Sequence, residues 1–76
     1  MFEELETVVL RHDIEAHDLK EGDMGSVVNV YSGGKAFEVE FVTATGKTVA
    51  LLTLESSDIR REAKNDILHV RGFTTA

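Results

Sequence analysis

The chain has 76 residues, 42% hydrophobic and 29% charged, with a net charge of −6 and neither cysteine nor proline. One domain fits this length, with a thin core that buries only about 60% of the surface exposed by the unfolded chain; the composition is globular rather than disordered. The absence of cysteine excludes a disulfide framework, a thiol nucleophile and a thiolate metal site, and the acidic balance argues against general nucleic-acid binding, where Lys and Arg supply most of the affinity.

Met1-Phe2-Glu3-Glu4-Leu5-Glu6 is acidic where a secretory leader is basic, and no apolar run approaches the ~20 residues of a membrane span. A cytoplasmic protein without membrane contact is expected, with residues 1–6 and 72–76 frayed around a single domain spanning 1–76. Thr7-Val8-Val9-Leu10 reads as the first strand. Arg11 to Asp23 is polar and acidic, a long first loop that Ile14 and Leu19 pin to the core. Gly22-Asp23-Met24-Gly25 introduces the β-branched run Ser26-Val27-Val28-Asn29-Val30-Tyr31, and Gly33-Gly34 supplies the positive φ angles of a tight hairpin.

Ala36 to Val42 alternates cleanly, with Phe37, Val39 and Phe41 on one face and Glu38 and Glu40 on the other. After a turn at Thr45-Gly46-Lys47, Thr48 to Leu54 is apolar on both faces, which means either double coverage or an exposed apolar patch. Residues 58–71 read two ways: Ile59, Ala63, Ile67 and Val70 share one face of a short helix starting near Ser57, whereas Ile67-Leu68-His69-Val70-Arg71 reads as an extra C-terminal strand. The sum is an all-β fold of about five strands curling into a small barrel, since closing a sheet removes its exposed edges.

The run from Gly22 to Tyr31, followed by Gly33-Gly34-Lys35-Ala36-Phe37-Glu38-Val39-Glu40-Phe41, resembles a bacterial domain-of-unknown-function family, number 4926. The shared pattern is a Gly-Asp-x-Gly turn, a valine-rich strand ending in Val-Tyr, a glycine hairpin and a Phe-Glu-Val-Glu-Phe strand. Gly46-Lys47-Thr48 and the closing His69-Val70-Arg71 extend the likeness over about residues 7–71. Where that family tends to carry Leu-Pro-Glu-His-Gly, this chain reads Ile14-Glu15-Ala16-His17-Asp18. The resemblance implies an SH3-like fold and a stand-alone bacterial protein, carries no catalytic residues to transfer, and favours the strand reading of the C-terminus.

No catalytic apparatus is legible. His12, Asp13, His17 and Asp18 have ligand chemistry, but on a helix His12 and His17 would diverge by roughly 140°, so a solvated acidic loop is favoured and no metal or cofactor is expected. Gly22-x-x-Gly25 opens a strand, whereas phosphate loops open helices. It resembles the ribosome-associated KOW motif, but its acidic surroundings argue against RNA. Glu38 and Glu40 share a face as an acid/base pair would, and as any solvated strand face does. No motif joins the serines and histidines into a triad.

A non-catalytic protein-interaction module is the leading expectation; the alternatives are a nucleic-acid accessory factor or the neutralising partner of a two-gene toxin system. Residues 1–40 hold ten acids against Arg11, Lys20 and Lys35, for −7, while residues 41–76 come to +1. Glu15, Asp18 and Glu21 of the first loop therefore suit a partner with a basic surface. Tyr31, Leu52, Leu54 and Phe73 are the candidate apolar contacts. A homo-oligomer is a further expectation, since a second copy can complete a thin core.

Overall fold

A computed structural model describes residues 2–72. Five strands, β1 (Thr7–Leu10), β2 (Met24–Val30), β3 (Ala36–Val42), β4 (Thr48–Glu55) and β5 (Ile59–Arg61), form one antiparallel sheet in the order β4-β3-β2-β1-β5. Three short 3₁₀ turns at Glu15–His17, Ser32–Gly34 and Ser56–Asp58 are the only helical elements among the described residues. Among the described residues no helix is long and apolar enough to cross a membrane.

Alternation on β3 is as expected: Phe37, Val39 and Phe41 are buried and the two glutamates between them point away. Opposite them β2 carries an extra residue, Val28, because Val27 pairs with Val39 while Asn29 pairs with Glu38. This bulge resets the phase, so Val27 and Val30, three apart, both reach the core. A second bulge inserts Val49 into β4 between the Phe41–Ala50 and Val42–Thr48 pairs. The core of Val8, Leu10, Val27, Phe37, Val39, Phe41, Leu54 and Ile59 has no second layer above it among the described residues. Phe2 from the N-terminal segment and Leu19 and Ile14 from the first loop pack against that face. Its ladders end at β4 on one side and β5 on the other.

Leu19 is buried and Ile14 packs against the core, so the first loop is pinned as its two aliphatics suggest. It is folded on itself, Ile14 and Leu19 exchanging backbone hydrogen bonds of 2.9 and 3.1 Å. Residues 2–6, expected to fray, are docked instead. The Leu5 amide donates to the Val27 carbonyl, the Val27 amide donates to Glu6, and Phe2, only 8% exposed, sets its ring edge-on to Phe37 at 5.3 Å. An unpaired aromatic edge of the core needs that cover.

The chain end departs from both readings. The last strand is Ile59–Arg61, where Ile59 enters the core opposite Leu10 of β1, and neither helix nor strand forms over residues 62–72. The helical face is broken because Ile59 is taken by the sheet. Asp66 then makes a turn, its carboxylate accepting from the Ala63 amide at 2.7 Å and from Arg60 at 2.8 Å.

Candidate functional site

Asp23 sits where β1, β2 and the first loop meet. Its backbone is held by the sheet, the Leu10 amide donating to its carbonyl at 2.9 Å, and its carboxylate caps the preceding turn through the Lys20 amide at 2.8 Å. The same carboxylate accepts from Arg71 Nε at 2.9 Å and from His69 Nε2 at 3.2 Å. Arg71 also donates to the Asp18 carbonyl at 2.9 Å. The returning segment Ile67–Gly72 is thus clamped across the neck of the first loop. Gly22 makes room for it: at φ +95° and with the His69 ring on top, an added Cβ would lie 2.9 Å from His69 Cε1.

Burial pushes the Asp23 carboxyl up, but the Arg71 guanidinium, the Lys20 amide and His69 outweigh it and hold it below the ordinary carboxylate range. In return Asp23 holds Arg71 further toward its charged form. A second tie closes the other side of the loop. His12 Nε2 lies 2.8 Å from Asp58 Oδ1, and its Nδ1 lies 2.9 Å from the Asp13 carbonyl. Both partners only accept, so both ring nitrogens donate when the imidazole is protonated. The Asp58 hydrogen bond, followed by the Asp13 carbonyl, raises the pKa of His12. Burial pushes Asp58 up, but the Glu55 amide and His12 prevail and lower it.

Between the clamped segment and the β3–β4 turn lies an open groove of about 330 Å³, floored by Leu19, Met24 and Phe41 and walled by Val42, Val49 and Val70. The segment forming its wall leaves Ile67 94% and Val70 98% exposed, with Leu68 also largely in water.

The residues proposed from sequence separate into groups. Glu15 and Glu21 are exposed on the first loop, and Asp18, half-buried with φ +56°, ends its 3₁₀ turn, so these three share the loop beside the clamp. Tyr31 is exposed at the opposite end of β2. Leu52 packs partly against the core. Leu54 is a correction: at 8% exposed, opposite Phe37, it belongs to the core and offers a partner almost nothing. Phe73 lies outside the described residues. Asp13 accepts from the Glu21 amide and Glu40 from the Thr48 hydroxyl; among the described residues no three His, Asp or Glu side chains are grouped to hold a metal. Sequence reasoning missed the clamp. Its parts stood in plain view as Gly22-Asp23 and His69-Val70-Arg71, but they are 46 to 48 positions apart and no local spacing joins them.

The fold and this site define a small all-β domain whose C-terminal segment is locked to its first loop by ion pairs. The sequence model described as Domain of unknown function (DUF4926) matches residues 4–61, and the chain belongs to that family. Asp23 falls inside the matched stretch, while His69 and Arg71 lie beyond it. Comparisons with curated proteins and with solved structures returned no match.

Proposed function

We propose that this domain is a non-catalytic, cytoplasmic protein-interaction module that takes a partner protein along its first loop and C-terminal segment. The observation that carries this reading is the exposure of Ile67 and Val70 on a segment whose position is fixed by Arg71 with Asp23 and by Arg60 with Asp66. Covering an aliphatic side chain is worth about 1.5–3 kcal/mol, so whatever covers Ile67, Leu68 and Val70 gains several such increments. Because the segment is already held, little ordering cost opposes that gain. Its backbone joins no ladder, leaving it open to an added extended strand. Glu15, Asp18 and Glu21 on the adjoining loop select a partner strand that is basic as well as apolar. The cysteine-free sequence supports a reducing compartment.

The test is capture from the native cell with tagged wild-type protein and two variants, washed with increasing salt. The triple reversal Glu15→Lys, Asp18→Lys, Glu21→Lys is expected to weaken capture of the same protein and flatten its salt dependence. Val70→Asp is expected to abolish capture without lowering the melting temperature. A captured protein indifferent to both variants would remove this reading, and recovery of nucleic acid in its place would replace it.

A further inference from the structure

We propose that residues 62–72 form a strap that opens as a unit of its own, released when its ion pairs are screened, while the five-stranded sheet beneath it stays folded. Opening uncovers Val9 and joins two clefts into one apolar trough. The proposal concerns a second state of the segment and stands whether or not a partner takes the closed one.

Val9 is buried on the face of the sheet away from the core. Its neighbours Val8 and Leu10 enter the core, so alternation turns Val9 to the other face, in a row with Met24 of β2 and Arg60 of β5. A side chain there would meet water, yet Val9 is only 5% exposed. Its cover is the strap: Val9, Gly22 and Met24 share a narrow cleft of about 70 Å³ with Ile67, Leu68 and His69.

The cover is fastened by charge rather than by packing. No residue from Glu62 to Gly72 is buried, and among the described residues the backbone of 67–70 makes no hydrogen bond. Asp66 on Arg60 holds one end, and His69 and Arg71 on Asp23 hold the other. Arg60, Asp66 and Arg71 all keep contact with water, where ion pairs weaken as salt rises. The sheet is held instead by four ladders and a buried core, which salt does not screen. Every member of that core lies before residue 60, so the strap lifts without taking any of it and opens at a lower free energy than the sheet. Met24 and His69 line both the cleft under the strap and the larger groove beside the β3–β4 turn. Lifting His69 and Val70 therefore merges the two, and Val9, Met24, Leu19 and Phe41 line one trough. The closed form shows Ile67 and Val70 on top of the strap and the open form shows the trough below, so the ion pairs set which apolar surface the domain presents.

The chain has no cysteine, so one introduced thiol reports opening through its rate of alkylation. Val9→Cys is expected to react about tenfold faster than Val27→Cys, a core position reached only when the sheet unfolds. Urea should accelerate the Val27→Cys reaction steeply and the Val9→Cys reaction little, because lifting the strap exposes little surface. Sodium chloride at ~1 M, where the Debye length falls to ~3 Å, should speed the Val9→Cys reaction severalfold, and so should Arg71→Ala. In the unsubstituted chain the Val9 methyl signals should broaden by exchange as salt rises while those of Val27 stay sharp, a readout that needs no substitution. Equal rates with equal urea dependence at the two thiols would overturn the proposal, because the strap would then open only with the sheet. A Val9→Cys rate unmoved by salt and by Arg71→Ala would overturn the ionic fastening.

Discussion

Two acidic side chains, Asp23 and Asp58, tie the first loop to the rest of the molecule, and their partners give the stability opposite pH dependences. The Asp23 carboxyl is held below its unfolded value of about 3.9. Its ionised form therefore adds stability above that pH, and the contribution is lost as pH falls through the lower folded value. Asp58 and Asp66, lowered likewise, share the window. Asp23→Asn should reduce the acid limb of a melting-temperature profile without removing it, and should cost about 1–2 kcal/mol at neutral pH, where Arg71 loses a charged acceptor. His12 has the opposite sign. Its pKa is raised, so its contribution is complete below the unfolded value of about 6.5 and disappears as pH rises through the folded one. An NMR titration of the ring should place the midpoint above 6.5, and His12→Gln should flatten the fall in melting temperature between roughly pH 6 and 8. A ring that titrates at its unfolded value would show that the Asp58 contact does not persist in solution.

β3 and β4 show how much of an element can be read from residue order and where the reading stops. The alternation Phe37, Val39, Phe41 is a complete period-2 signal, and the Gly33-Gly34 pair marks its hairpin, so β3 was legible to the residue. β4 was legible only as a strand. Thr48–Leu54 is apolar on both faces, and its phase is set by its register on β3, which no composition rule reveals. Pairing with β3 sets Leu54 opposite the buried Phe37 and Leu51 opposite the outward Glu40, so Leu54 is core and Leu51 surface. Leu54→Ala is accordingly expected to cost about 2–4 kcal/mol and Leu51→Ala no more than about 0.5 kcal/mol, measured by urea unfolding at a concentration that keeps the protein monomeric. Similar costs at both positions would mean the strand sits in the other phase. The chain end failed for a related reason. The spacing of Ile59, Ala63, Ile67 and Val70 is helical, but Ile59 is claimed by Leu10 across the sheet, a contact of long sequence separation that outranks local periodicity. The acidic loop of the site was legible in its charge, whereas the clamp that fixes it depends on which distant cation reaches Asp23.

At the scale of the molecule, the sheet and the segment beyond it are coupled through two carboxylates, Asp66 on Arg60 of β5 and Asp23 on Arg71. The family match ends at Arg61, the last residue of β5, and a chain ending there retains all five strands and every member of the buried core. It loses His69 and Arg71 from Asp23, and with them the Val70 wall of the groove. The shortened chain is expected to fold with the same circular-dichroism signature and a lower melting temperature. Whether the segment matters through Asp23 or through general packing is separable by a double-mutant cycle. Asp23→Ala removes the Lys20 cap and the clamp together in the full chain, but only the cap in the chain ending at Arg61. The substitution should therefore cost less in the shorter chain, the difference being the coupling between Asp23 and the segment, about 1 kcal/mol for a charged hydrogen-bonded pair at this exposure. Equal costs in the two backgrounds would mean that the segment is held by something other than Asp23, and that its exposed aliphatics are not presented in a fixed position.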